Sequence, residues 1–157
     1  MESIPHTNSP VLVVDDDEGL LLSIKATLVS SGLPEPALVS DSRRVIDLIR
    51  ECDFQLILLD LMMPHLTGME ILRRIKKESL DIECVIVSAI DDVASAVQAI
   101  SLGASDYLVK PLNSDKLVAL VNRTLEKYSV QHELEQFGTK KVFSNLKKRK
   151  AFADMVT

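Results

Sequence analysis

The chain has 157 residues, enough for one ordinary domain and an extension. Hydrophobic residues make up 46% and aromatics only 4%, with no Trp, so the core must be aliphatic. The formal net charge is -5, yet residues 140–157 hold six basic residues and one acidic one, leaving -10 for residues 1–139; an acidic body with a short basic tail argues against nucleic-acid binding by the body.

In chain order, residues 1–8 read as a flexible N-terminal extension. "VLVV" (Val11 to Val14) predicts a buried strand. Asp17 to Ser31 predicts a helix with Leu21, Ile24 and Leu28 on one face and Gly32 as its stop. "PALVS" (Pro36 to Ser40) is a second, weaker strand, and Asp41 or Ser42 caps a helix carrying Val45, Leu48 and Ile49. "FQLILL" (Phe54 to Leu59) is the third strand, and Gly68 opens a helix with Met69, Leu72 and Ile75. "CVIVSA" (Cys84 to Ala89) is the fourth strand. Val93, Ala96, Val97 and Ile100 then recur at helical spacing in a helix that ends near Gly103. "DYLV" (Asp106 to Val109) is the fifth strand, and a last helix starts near Asn113. That helix stops near Lys127 or continues along the stripe Val130, Leu134, Phe137 until Gly138 and Thr139 break it.

Five strands alternating with five helices predict an α/β fold with a parallel sheet covered on both faces. This is why the strands read as continuous apolar runs. Under the flavodoxin-like (βα)5 order, 2-1-3-4-5, the chain forms a three-layer sandwich over residues 9–127, with residues 128–157 as a helical, basic linker. Cys52 and Cys84 stand in no C-x-x-C pair and near no His cluster, which argues against a zinc site or disulfide framework and for a reducing compartment. The opening "MESIPHTNSP" lacks the pattern of a signal peptide, and no apolar run approaches the roughly 20 residues of a membrane helix. The expected location is the cytoplasm.

In open α/β sheets, ligands bind beyond the carboxyl ends of the strands. Asp15, Asp16 and Asp17 follow strand one, Asp60 follows strand three, Ser88 ends strand four, and Lys110 with Pro111 follows strand five. Strands one and three are neighbours in this order, so Asp15, Asp16 and Asp60 converge. Three carboxylates this close cannot all stay ionised without a counter-charge. A hard divalent cation such as Mg²⁺ and the Lys110 ammonium are the two candidates. Such a set suits phosphoryl transfer: Asp60 attacks phosphorus to form an acyl phosphate, cations neutralise the equatorial oxygens, and the Ser88 hydroxyl donates to another. Asp17 is expected to be an ordinary helix N-cap.

The motifs "VLVVDDD", "LILLDLMMPHLTGMEIL", "VIVSAI" and "GASDYLVKPL" resemble, in order, those of the receiver (CheY-like) domain of two-component response regulators. The resemblance implies that Asp60 is the phospho-acceptor, charged by a sensor histidine kinase or a small phosphodonor. It also implies that Asp15, Asp16, Asp60 and the Met62 backbone carbonyl hold Mg²⁺, with Mn²⁺ as a substitute. Lys110 is implied to pair with the phosphoryl group, with its bond to Pro111 cis. Ser88 and Tyr107 stand at the switch that reports phosphorylation to the face of helix four, strand five and helix five. A receiver catalyses its own phosphorylation and dephosphorylation and is not a turnover enzyme; no organic cofactor is implied.

In this family, the residues two after the acceptor and two after the Ser/Thr influence attack by water. Here they are Met62 and Ile90, both apolar, which implies a comparatively long-lived acyl phosphate. "KRKAFADMVT" is similar to the junction before the central ATPase of NtrC-class transcription activators. The implied partners are an output domain following the linker and a second receiver, paired through the helix-four face or the linker helix. A stand-alone regulator acting by protein–protein contact is the alternative. A haloacid-dehalogenase-type phosphohydrolase wants a second aspartate where Met62 stands. A flavodoxin-like cofactor binder wants a Gly/Ser/Thr-rich loop where the three aspartates stand.

Overall fold

Five strands and five α-helices alternate along the described residues: β1 (Val11–Val14), α1 (Glu18–Ser30), β2 (Ala37–Val39), α2 (Val45–Glu51), β3 (Leu56–Leu59), α3 (Gly68–Lys77), β4 (Glu83–Ser88), α4 (Val93–Ser101), β5 (Asp106–Val109) and α5 (Ser114–Gln136). A 3-10 turn, Ser42–Arg44, leads into α2. The computed structural model describes residues 7–136 apart from 79, 90 and 91. Ile90, Phe137, the Gly138–Thr139 break, the basic tail and residues 1–6 of the N-terminal extension lie outside the described residues.

The sheet is parallel throughout, with order β2-β1-β3-β4-β5. This is the flavodoxin-like arrangement, and it follows from right-handed crossovers that bury both faces of the sheet. β1 and β3 are buried at every position. Alternate residues divide between two layers. Leu12, Val14, Ile57, Leu59, Cys84 and Ile86 pack with Val45, Leu48 and Ile49 of α2 and Ile71, Leu72 and Ile75 of α3. Val11, Val13, Leu56 and Leu58 have the opposite parity, and the buried residues of α1 and α5 (Leu21, Ile24, Leu28, Leu117, Leu120 and Val121) stand outside that cluster. The core is aliphatic, as the composition requires, with Phe54 its one buried phenylalanine among the described residues.

Local signals set the element ends. The Asp17 carboxylate caps α1 by accepting from the Leu20 N–H at 3.1 Å. Gly32 adopts φ +79° just beyond α1, a conformation other residues rarely take. Thr67 caps α3, accepting from the Glu70 N–H at 3.2 Å. α3 turns Ile71, Leu72 and Ile75 fully inward, while Met69 is only half-buried against the core.

The apolar stripe on α4 faces outward. Val93, Val97 and Ile100 are 80%, 60% and 49% exposed, and the buried residue of the helix is Ala99. α4 is seated by its small side chains, which allow close approach, and its branched residues turn outward. These three lie at i, i+4 and i+7 and form one uncovered apolar face.

The chain divides within α5 into two units, residues 1–124 and residues 125–157. The first contains the whole sheet. In the second, the described residues 125–136 continue α5, with Val130 and Leu134 exposed. No described helix is long and apolar enough to cross a membrane.

Candidate functional site

The register between β1 and β3 pairs Val14 with Leu59, so the next residues leave the sheet side by side. The Asp60 N–H donates to the Val14 carbonyl at 2.9 Å, and the Asp15 N–H donates to the Val39 carbonyl at 3.2 Å. Both aspartates are thereby fixed by backbone bonds at the rim of the sheet. Carboxylate oxygens of Asp15, Asp16 and Asp60 all lie within 4.8 Å of one another. Asp15 and Asp60 are buried and Asp16 is exposed. The Asp17 N–H donates to Asp15 Oδ1 at 2.9 Å, and the Met62 N–H donates to Asp60 Oδ1 at 3.3 Å.

Lys110 enters from the other end of the sheet. Its backbone N–H donates to the Ser88 carbonyl at 2.8 Å, which ties the end of β5 to the end of β4. Its peptide bond to Pro111 is cis. Its Nζ lies 2.6 Å from Asp15 Oδ2 and 3.5 Å from Asp60 Oδ2, so the tighter contact is to Asp15. Ser88 is buried at the same rim, one strand from Asp60. Tyr107 is half-buried against the core beside β4, where it pairs with Ile86. The Met62 side chain is 62% exposed.

Burial pushes the Asp60 carboxyl above its ordinary range, and the negative charge of Asp15 pushes it further; Lys110 and the Met62 N–H only partly oppose this. For Lys110, burial alone would favour the neutral amine, but the bond to Asp15 and the charges of both aspartates outweigh it and raise its pKa. Lys110 therefore stays charged. Among the described residues, one cation, Lys110, contacts this group of three carboxylates, and the donor set is all oxygen. A hard divalent ion fits both the excess charge and the donors.

Two residues acquire a site role that the sequence did not signal. Gly68 reads as a helix opener, yet a Cβ there would stand 2.3 Å from the Asp60 carbonyl oxygen. A glycine eight residues beyond a strand-end aspartate was the available clue. Ser42 reads as one of two candidate caps. Neither caps α2, whose N-cap is Arg44 without a side-chain bond: Asp41 caps the preceding 3-10 turn, accepting from the Arg43 N–H at 3.0 Å, and the Ser42 hydroxyl turns toward the loop after β3.

Comparison with known proteins agrees with this geometry. Residues 11–122 match the family described as response regulator receiver domain. The transcriptional regulatory protein ZraR of Escherichia coli (strain K12) is 37% identical over 120 residues, which is 76% of this chain and 27% of that protein. The chain thus spans about a quarter of that relative's length. The Francisella response regulator 1452 receiver domain superposes with a TM-score of 0.72 at 30% identity, covering 77% of this chain and 99% of that one. The beryllofluoride-activated NtrC4 receiver domain dimer gives 0.69 at 32% identity, covering 75% and 97%. The family match over most of the chain, with the identity to ZraR, makes this chain a member of the response regulator receiver domain family, related to the NtrC-class activators.

Proposed function

We propose that Asp60 accepts a phosphoryl group and that this modification is the signal. The observation that carries the reading is the Asp60 carboxylate itself. It is 6% exposed at the strand rim, 3.5 Å from the Lys110 ammonium and clustered with two further carboxylates. An Asp60 oxygen forms the new P–O bond as phosphorus parts from the donor, and the electron pair of the broken bond leaves with the donor. The donor is the phosphohistidine of a sensor kinase or a small acyl phosphate. Asp15, Asp16, Asp60 and the Met62 carbonyl would hold Mg²⁺, or Mn²⁺ in its place, and the bound ion supplies positive charge against the phosphoryl oxygens. Lys110 supplies the remaining positive charge, and Ser88 donates a hydroxyl.

The output follows as a population shift. Ser88 and Tyr107 report the added charge to α4, β5 and α5. The uncovered α4 face, Val93, Val97 and Ile100, supports a protein partner there: a second receiver or the chain's own output domain. Residues 9–127 form the receiver, and residues 128–157 link it to a transcription-activating domain in the cytoplasm.

The test is to map the phosphorylated residue. After Mg²⁺-dependent reaction with acetyl phosphate, borohydride reduction should convert residue 60 alone to homoserine, read by mass spectrometry. Reduction at any other position would overturn the assignment.

Phosphate loss should be slow, because the exposed Met62 side chain offers no group to orient water. Met62→Asn combined with Ile90→Glu should speed the loss of label roughly tenfold, less than the roughly 100-fold or more of full general acid–base catalysis, because these groups only orient the water. A double variant that decays no faster than the parent would remove this account of the lifetime.

A further inference from the structure

Ser42 is outside the acidic cluster, in the 3-10 turn that follows β2, and its side chain is 1% exposed. Its hydroxyl donates to the Pro64 carbonyl at 2.6 Å and accepts from the Leu66 N–H at 3.0 Å. One oxygen thus satisfies a backbone acceptor and a backbone donor in the loop between β3 and α3. A serine hydroxyl can do both at once; an alanine can do neither. The residue between the two bonded positions, His65, has φ +72°, an unusual conformation for a side chain of this type. The clamp therefore closes around the left-handed residue of the loop.

This loop is the continuation of Asp60. Leu61 and Met63 are buried, the Met62 N–H bonds the Asp60 carboxylate, and the Gly68 N–H donates to the Leu61 carbonyl at 3.1 Å. The turn that carries Ser42 is itself held. Asp41 accepts from the Arg43 backbone N–H at 3.0 Å, from Nε at 3.0 Å and from Nη2 at 2.8 Å, and this fork holds its carboxyl down at about 2. At the end of β2, the Val39 carbonyl accepts from the Asp15 N–H. One short segment, residues 39–44, therefore touches both arms of the acidic site: Asp15 through Val39, and the backbone that follows Asp60 through Ser42.

We propose that Ser42 is a positioning residue for the phosphorylation site. Its hydroxyl fixes the path of residues 62–66, and with it the Met62 carbonyl that completes the cation-binding set. The inference rests on the function proposed above and extends it to a residue 18 positions before Asp60 in the sequence. Without the hydroxyl, two part-buried bonds are lost together, and the Pro64 carbonyl and the Leu66 N–H must turn toward water or another partner to be satisfied. Either adjustment moves the Met62 carbonyl relative to Asp15 and Asp60.

The test compares Ser42→Ala with Thr124→Ala in the full chain. Thr124 is a second buried hydroxyl, donating to the Leu120 carbonyl at 2.9 Å in α5, and its loss should loosen the fold without reaching the site. Mg²⁺ affinity is measured by calorimetry, labelling by acetyl phosphate at fixed Mg²⁺, and exposure of the loop by hydrogen exchange at the Leu66 amide. Ser42→Ala should weaken Mg²⁺ binding about tenfold, the low end for removing an outer support of a metal ligand. Labelling should slow in proportion and recover as Mg²⁺ is raised, and the Leu66 amide should exchange faster. Thr124→Ala should leave Mg²⁺ affinity and the Leu66 amide unchanged.

Mg²⁺ affinity of Ser42→Ala within about twofold of the parent, or an equal loss in Thr124→Ala, would overturn the proposal. If Ser42→Ala does not fold, Ser42→Cys, close in size but a much weaker donor, takes its place with the same two outcomes. A parent chain that takes no label at all would defeat the phospho-acceptor reading. In that case the Mg²⁺ and hydrogen-exchange measurements still decide the role of Ser42.

Discussion

Asp60→Asn should raise the thermal unfolding midpoint of the metal-free chain while abolishing labelling by acetyl phosphate. The Asp60 carboxylate is buried beside Asp15, and both conditions disfavour its charge; burial is the larger. Its folded-state pKa is raised above the unfolded value, so the folded chain holds this proton more tightly than the unfolded chain. Asp60 therefore does not weaken the fold below the ordinary carboxylate range, begins to do so as pH rises through that range, and does so fully above its own folded-state pKa. Asparagine keeps the shape and an oxygen for the Met62 N–H but removes the charge. The gain should be about 1–2 kcal/mol at neutral pH, or roughly 2–4 °C per kcal/mol for a chain of this size. It should fade as the solution is acidified below the ordinary carboxylate range. Unfolding followed by circular dichroism in EDTA, at neutral and at acid pH, measures it. Added Mg²⁺ should stabilise the parent more than the variant, since a ligand that binds only the folded state raises the midpoint. A variant that melts below the parent at neutral pH in EDTA would show that the Lys110 contact outweighs burial and the Asp15 charge. Functional groups that oppose stability are expected where a site must hold uncompensated charge ready for a ligand.

The strand ends were legible for a physical reason. A parallel sheet buried on both faces writes its strands as unbroken apolar runs, so the first polar residue after each run stands out. Asp15, Asp60 and Lys110 were found this way, and strand order brought them together. The same reasoning could not orient α4. Helical periodicity identifies an apolar stripe but not what covers it, and the stripe of Val93, Val97 and Ile100 is turned outward while Ala99 makes the close contact. Near α3, Met69 and Ile71 are both apolar, and only the rotation of the helix about Gly68 decides that Ile71 is the buried one. Ser42 was less legible still. Its partners are 22 and 24 residues away, across a β-strand and a helix, and nothing in a single small polar residue announces a long-range clamp. Residues whose roles come from local capping or strand position could be read; residues whose roles come from backbone approach between distant segments could not.

Gly68→Ala belongs to that second group, and its effect should be large. A Cβ at residue 68 would lie 2.3 Å from the Asp60 carbonyl oxygen and 3.0 Å from both the Asp60 carbonyl carbon and the Leu61 Cα. These are backbone atoms at the end of a central strand, so no side-chain rotation relieves the clash. The φ of Gly68 is not in the left-handed region; the requirement is space. At an ordinary helical position, replacing glycine by alanine stabilises by about 1 kcal/mol. Here the sign should reverse, with a loss of about 3 kcal/mol from overpacking, or roughly 6–12 °C in the unfolding midpoint. The strain is relieved by moving α3 away from β3 or by moving the Asp60 carbonyl, and the second displaces the acceptor carboxylate. Mg²⁺ affinity and labelling should therefore fall more than the loss of stability alone explains, even at temperatures where the variant is fully folded. Gly19→Ala provides the comparison, because a Cβ there would meet only the Asp17 Oδ1 at 3.3 Å, at the end of a short side chain that can shift. Thermal unfolding of the two variants beside the parent separates the cases. If Gly68→Ala melts no lower than Gly19→Ala, α3 does not press on the Asp60 backbone as described, and the support it gives the acceptor must come from elsewhere.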